Sequence, residues 1–186
     1  MGISDEDFIR GNVPMTKQEI RILTLAKADI KHGDVVIDVG AGTGSLSIEA
    51  AMIARQVFAV ERDPEAVELI EQNAEKFGVD NIIIINAEAP NGLEAISKID
   101  AALIGGSGGN MSKILDTIDR RLKGDGRIVV NCITIQTLSE VLEYFKSHDN
   151  YKYEAIQVQI NRLNQVGQYD MAKALNPIYI VTARKL

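Results

Sequence analysis

Val36-Ile37-Asp38-Val39-Gly40-Ala41-Gly42-Thr43-Gly44-Ser45 is the stretch that decides the fold. The run Val35–Val39 reads as a strand, and its near-continuous apolar character is that of a strand buried on both faces. Gly40 to Gly44 form a tight loop, and residues 46–54 read as the helix that follows it. Glycines at alternate positions let the backbone approach a ligand without a Cβ clash. The next strand, Gln56–Glu61, ends on a carboxylate about 20 residues after the first glycine, the spacing of a residue that binds ribose hydroxyls.

Working outward, short β-rich runs alternate with longer helical ones, which implies an α/β fold with a largely parallel sheet. The chain reads as a single domain over residues 1–186, with residues 1–15 as an N-terminal arm. Thr16 and Glu19 have capping-box spacing and predict a helix from Thr16, with Ile20, Leu23 and Ala26 as its apolar stripe and Gly33-Asp34 as its break. Asp63-Pro64 opens another helix with a cap and a first-turn proline, and Gly78 closes it. Residues 82–85 and 100–104 are strands. Met111, Ile114, Leu115, Ile118 and Leu122 follow the helical period. Asp125-Gly126 turns the chain into a strand over residues 127–132, and a helix follows over 137–147. Residues 153–162 and 178–185 read as an antiparallel pair added to the sheet. The 163–176 segment between them is too long for a tight hairpin and reads as a functional loop.

The ligand at the glycine loop can be narrowed. A dinucleotide fingerprint is GxGxxG, because helix N–H groups must cradle a pyrophosphate. Here the spacing is GxGxG, and Asp38 stands just before the loop, where it would repel a pyrophosphate. A carboxylate there suits a ligand carrying an amino group and a sulfonium, as S-adenosylmethionine does. The D-x-G-x-G-x-G run followed by an acidic residue resembles the class I methyltransferase motif. That resemblance implies a Rossmann-like, mostly parallel seven-stranded sheet with helices on both faces and an antiparallel C-terminal strand. It also implies a cofactor cradle of Asp38, Gly40, Ala41, Gly42, Thr43, Gly44 and Glu61, with Glu88 and Ala89 after the third strand against the adenine. The loop Gly105-Gly106-Ser107-Gly108-Gly109-Asn110 follows the fourth strand, where open parallel sheets bind ligands. Gly106, Ser107 and Asn110 are expected to form the floor on which donor and acceptor meet.

The rest of the chain sharpens the resemblance. Gly11-Asn12-Val13-Pro14-Met15-Thr16-Lys17-Gln18-Glu19, the Asp38 to Gly44 loop, Glu88-Ala89-Pro90 and Gly105 to Gly109 occur together and in order. This combination is similar to the cobalt-precorrin C-15 methyltransferases of cobalamin biosynthesis, also described as precorrin decarboxylases, over nearly the whole chain. Glu61 and Glu88 stand where aspartate is common in that family, and both keep the carboxylate. The resemblance implies methyl transfer to a carbon of a corrin precursor with loss of an acetate carboxylate, a homotetramer, and contact between Thr16 and the cofactor. A substrate of many carboxylates would need local cations on a chain whose net charge is −6. Lys17 and Arg21, one turn apart, Lys113, and Arg162 are the candidates. No general base and no metal ligand set is expected.

Composition agrees with a small-molecule enzyme. The chain shows no Lys/Arg cluster that would neutralise phosphates, so nucleic acid is not the expected partner. No apolar run is long enough to cross a bilayer, and residues 1–10 lack the apolar core of a signal peptide. Cys132 is the only cysteine, which fits a reducing, cytoplasmic setting. An isoaspartyl-repair methyltransferase, an RNA methyltransferase, a dehydrogenase and a non-catalytic adenosyl-binding module are the competing readings. The RNA reading is weakened because residues 105–110 lack an Asn/Asp-Pro-Pro-Tyr/Phe segment.

Overall fold

A computed structural model describes residues 2–186. In chain order the elements are α1 (Gln18–Ala28), β1 (Val35–Val39), α2 (Ser45–Ala51), β2 (Gln56–Glu61), α3 (Pro64–Phe77), β3 (Ile82–Asn86), β4 (Ile99–Ile104), α4 (Met111–Asp119), β5 (Leu122–Cys132), α5 (Ile135–Lys146), β6 (Tyr151–Val158), β7 (Asn161–Val166), β8 (Tyr169–Ala174) and β9 (Ile178–Lys185). Seven strands form one sheet in the order β3-β2-β1-β4-β5-β9-β6. Strands β1 to β5 pair in parallel, and β9 runs antiparallel to β5 and β6. This is the class I methyltransferase arrangement expected from the glycine loop.

The period-2 alternation of β1 sorts the two cores. Val35, Ile37 and Val39 face the layer of α4 and α5, with Ile114, Leu115, Val141 and Phe145. Val36 faces the opposite layer, with Ile20 and Leu25 of α1 and Leu46 and Ala50 of α2. The strand order reverses between β1 and β4, so their carboxyl ends open a crevice in which ligands bind.

Three local expectations are corrected. Thr16 does not cap α1: Lys17 is the N-cap and its side chain makes no cap bond. The arm does that work, because Asp5 Oδ1 accepts the Gln18 N–H at 2.9 Å. The helical period read through Leu122 stops earlier, since α4 ends at Asp119 and Leu122 starts β5. The segment 163–176 is not an irregular loop. Most of it belongs to a two-stranded hairpin, β7 paired with β8, turning at Gly167 with a φ of +63°. Every residue of both strands is exposed.

The arm is fixed to the domain by charge. Arg21 is fully buried. Its Nε donates to Glu49 Oε1 at 2.6 Å, and its Nη1 donates to Asp5 Oδ1 at 3.1 Å and to the Thr16 carbonyl at 2.7 Å. Its Nη2 donates to the Ile3 carbonyl. Glu49 in turn accepts the Gly2 N–H at 2.7 Å and the Ile3 N–H at 3.2 Å. The Arg21 guanidinium also lies 4.7 Å from the Phe8 ring centre, near enough for a cation–π contact.

Candidate active site

A cavity of about 620 Å³ opens at the carboxyl ends of β1, β2 and β4, a volume ordinary for a small-molecule site. Its walls come from four chain segments: the arm from Val13 to Lys17, the glycine loop, the ends of β2 and β3, and the Gly105–Gly108 stretch. On the far side it continues to Asn131, Ile133, Val158, Ile160, Leu175 and Ile178.

Backbone approach brings these segments together. Gly40 has a φ of +70°, and a Cβ there would lie 2.8 Å from the backbone N and O of Gly106. Gly42 has a φ of +56°, and a Cβ there would lie 2.7 Å from the Pro14 carbonyl oxygen. Both distances are shorter than any Cβ contact tolerates, so these glycines admit the β4 loop and the arm as well as a ligand. The N–H groups of Gly105 and Gly106 donate to the Val39 carbonyl at 2.9 and 3.3 Å, which ties the two loops together.

Glu61 ends β2 with its carboxylate in the cavity wall. Its Oε2 accepts the Gly42 N–H at 2.9 Å, and its Oε1 accepts the N–H groups of Arg62 and Asp63 at 2.8 and 3.0 Å. Three backbone donors thus hold the carboxylate in place while it remains free to accept hydroxyls from a ligand. Glu88 pairs with Arg62 at 2.9 Å. A Cβ at Gly108 would meet both side chains at 3.2 and 3.3 Å, so the β4 loop rests on this pair.

Asp38 is placed otherwise than its sequence position suggested. It shares the face of Val36, beneath α2, where it is fully buried and accepts the Ser47 hydroxyl at 2.6 Å. It does not line the cavity. Burial pushes its carboxyl up to about 6, opposed by the Ser47 hydrogen bonds and aided by the negative charge of Glu61. Its Oδ1 has no partner, and the same is true of the buried Thr43 hydroxyl. Both are scaffold beneath the loop.

The family is decided by comparison with known proteins. A family model described as a precorrin methyltransferase domain matches residues 7–185. The chain belongs to the precorrin methyltransferase family. A probable cobalt-precorrin-6B C(15)-methyltransferase (decarboxylating) of Sulfurisphaera tokodaii is 40% identical over 99% of this chain and 97% of its own. The crystal structure of precorrin-6y C5,15-methyltransferase from Geobacter metallireducens superposes with a TM-score of 0.93 at 38% identity, covering 100% of this chain and 97% of that one. The precorrin 8w decarboxylase of Methanobacterium thermoautotrophicum also gives 0.93, at 34% identity over 97% and 98% of the two chains.

In this precorrin methyltransferase, Thr16, Lys17, Gly40, Ala41, Gly42, Glu61, Glu88, Ala89, Gly106 and Ser107 all line the one cavity. Thr43, Gly44 and Asn110 lie outside it. Gly44 instead packs a φ of +78° against Ile70, and Asn110 is the N-cap position of α4. Two expected substrate cations are corrected. Arg21 is buried in the ion cluster with Glu49 and Asp5, so it cannot reach a ligand. Arg162 sits on β7, where its Nη2 donates to both Glu19 carboxylate oxygens at 2.8 and 3.0 Å. Lys113 lies on α4, away from the cavity lining. Sequence reasoning missed Arg62 and Asn131. The signal for Asn131 is a lone amide at the end of the apolar run Ile128-Val129-Val130, in the strand next to β4.

Proposed function

We propose that this chain methylates carbon 15 of a cobalt-precorrin with S-adenosylmethionine as donor and removes the carboxylate of an acetate side chain as carbon dioxide. One observation carries the reading. A single cavity joins a glycine-and-carboxylate cradle to an apolar chamber, so it offers both a polar nucleoside seat and a greasy wall for a macrocycle. The residues fit the cofactor: Glu61 is pre-held to accept ribose hydroxyls, and Glu88 with the Ala89 backbone stands at the adenine end. The amino-acid end then falls beside the arm at Thr16 and the loop at Gly40 to Gly42. When bound, the cofactor supplies a methyl group already activated on a sulfonium, so the protein's task is alignment and exclusion of water. The Gly105–Gly108 stretch exposes no bulky side chain between the two halves, which leaves the methyl's path open. Lys17, with its side chain 42% exposed, is the substrate-binding cation that stays at the cavity.

The test is direct. Titration calorimetry with S-adenosylhomocysteine should give one site per chain. Incubation with a cobalt-precorrin and labelled cofactor should give methylated product and carbon dioxide, while an isoaspartyl peptide should give neither. Folded protein that ignores S-adenosylhomocysteine, or that methylates the peptide and not the tetrapyrrole, refutes the proposal.

We further propose that residues 1–186 act as one domain, in the cytoplasm and on no nucleic acid or membrane, and that the chain assembles as a homotetramer through its hairpin. In that hairpin Val166 pairs with Tyr169 and Asn164 with Met171, so their side chains share a face. Val166, Tyr169 and Met171 are 55, 67 and 56% exposed, and apolar side chains clustered this way mark an interaction surface. No helix is long and apolar enough to cross a membrane among the described residues. Light scattering on Met171→Asp should show smaller species than the wild type; a wild type that is already monomeric refutes the assembly.

A further inference from the structure

The cavity has two chemically different halves. The half beyond the glycine loop is walled by Ile20, Ile133, Val158, Ile160, Leu175 and Ile178, and one buried polar side chain enters it: Asn131, from the end of β5. Asn131 is only 8% exposed. Its Oδ1 lies 3.0 Å from the hydroxyl of Thr24, itself fully buried on α1 and 2.7 Å from the Ile20 carbonyl. Its Nδ2 has no partner in the protein. A buried amide donor without an acceptor is costly and uncommon, because it forfeits its hydration and gains nothing in return. Such a group at a cavity wall calls for a ligand acceptor.

We infer that Asn131 holds the acetate carboxylate that is expelled, and that the apolar chamber around it is the decarboxylation subsite. The inference rests on the proposed function and adds to it the residue and the environment for the carbon–carbon cleavage. In the cleavage the bond between the side-chain methylene and its carboxylate breaks. The bonding electron pair passes into the conjugated ring, carbon dioxide leaves, and the methylene takes a proton from water to become methyl. The carboxylate's charge is concentrated at the start and spread over the ring at the transition state. Surroundings that solvate a concentrated charge poorly therefore favour the cleavage. A cation beside the carboxylate would do the opposite by stabilising the starting state. Among the residues lining the cavity the cations are Lys17 and Arg62, which belong to the arm and to the β2 end, whereas β5, β6 and β9 contribute none. One neutral amide fixes the direction of the carboxylate without neutralising it. Thr24, which orients that amide, is a positioning residue.

The experiment follows two products of one reaction mixture: S-adenosylhomocysteine, which counts methyl transfers, and carbon dioxide from carboxyl-labelled cobalt-precorrin, which counts cleavages. Wild-type enzyme should give a fixed ratio of the two. In Asn131→Ala the carbon dioxide yield per methyl transfer should fall roughly 10- to 100-fold, the loss expected of one hydrogen bond to a charged group, and a methylated product that keeps its carboxylate should accumulate. Thr24→Val, which keeps the side chain's volume, should move the ratio in the same direction by less. Calorimetry with S-adenosylhomocysteine should be unchanged in both, which also shows that they fold. An unchanged product ratio in both variants, with wild type active, overturns this inference alone. Equal loss of both products with loss of S-adenosylhomocysteine binding overturns it by making Asn131 a support of the whole site. Wild type that neither methylates nor decarboxylates the tetrapyrrole overturns the proposed function, and this inference with it.

Discussion

Replacing Arg21 with methionine tests whether the arm is a wall of the site held by charge. The substitution keeps an apolar stem of similar reach and deletes four hydrogen bonds: to Glu49, Asp5, the Thr16 carbonyl and the Ile3 carbonyl. It leaves Glu49, only 1% exposed, as a buried anion whose remaining partners are two backbone N–H groups of the arm. Breaking one side of a buried ion pair costs about 3–5 kcal/mol. That is a large part of the roughly 5–15 kcal/mol that holds a domain folded. At ~2–4 °C per kcal/mol for a domain of this size, the melting temperature should drop by roughly 6–20 °C. The arm should also come away, because Asp5, Thr16 and Ile3 lose their common anchor, and with it the cavity loses the wall from Val13 to Lys17. Urea denaturation at neutral pH measures the first effect, and limited proteolysis within residues 2–16 the second. Arg21→Met/Glu49→Leu should recover part of the loss, since it removes the stranded anion. Stability within ~1 kcal/mol of wild type, an arm still resistant to protease, and a raised KM for the tetrapyrrole would together refute the reasoning and return Arg21 to the substrate.

Other perturbations separate the parts of the site. Glu61→Gln keeps the shape but removes a charged acceptor, and should weaken S-adenosylhomocysteine by roughly tenfold or more in calorimetry; unchanged affinity would count against the ribose role. Gly42→Ala drives a Cβ into the Pro14 carbonyl at a positive φ, and should lower both the melting temperature and cofactor affinity. Lys17→Ala should raise the KM for the tetrapyrrole and spare cofactor affinity, whereas Arg162→Ala, whose guanidinium is spent on Glu19, should move neither; the reverse order would relocate the substrate face. Asp38 makes stability fall as pH rises, because its carboxyl titrates at about 6 in the fold against 3.8 unfolded. Between those values the folded chain holds a proton that the unfolded chain has lost, so about 3 kcal/mol disappears across pH 4 to 6. The lowered carboxyls of Asp100 and Asp119 act below that window. Asp38→Asn should flatten the profile in urea titrations at pH 4, 5, 6 and 7, and an unaltered slope would show that Asp38 ionises freely.

What was legible in the sequence was whatever local pattern dictates. Asp63-Pro64 and Gly78 bound α3 as read, with Asp63 accepting the Glu65 N–H and Gly78 left-handed at the C-cap. The strand ends that carry Gly40 and Glu61 were equally plain, because strand, glycine loop and helix succeed each other within one unit. The hairpin was not legible, because β7 and β8 are exposed on both faces and so lack the inside–outside alternation by which a strand is recognised. Its one local signal was Gly167-Gln168, a glycine-first pair between two six-residue runs, a known hairpin turn. Arg21 was misread because spacing along one helix says nothing about the neighbouring helix. The lone Glu49 within the apolar run Ile48-Glu49-Ala50-Ala51 was the counterpart that might have been matched to it.

Asp38 shows how the motif and the mechanism part company. A carboxylate beside a glycine loop invites a ligand contact, yet strand alternation puts residue 38 on the same face as residue 36, under α2 and away from the crevice. What faces the crevice instead is backbone: Gly40 against Gly106, Gly42 against Pro14, and the Gly42 N–H on Glu61. The loop is therefore positioned by three contacts that need no side chain at the glycines, while Asp38 and Ser47 tie its strand to the helix below. A site assembled this way resists a Cβ at Gly40 or Gly42 however the ligand is designed, because the obstacle is the protein's own main chain. Its acceptor half, lined by side chains of β5, β6 and β9, is where substitutions can alter the product without disturbing the cofactor.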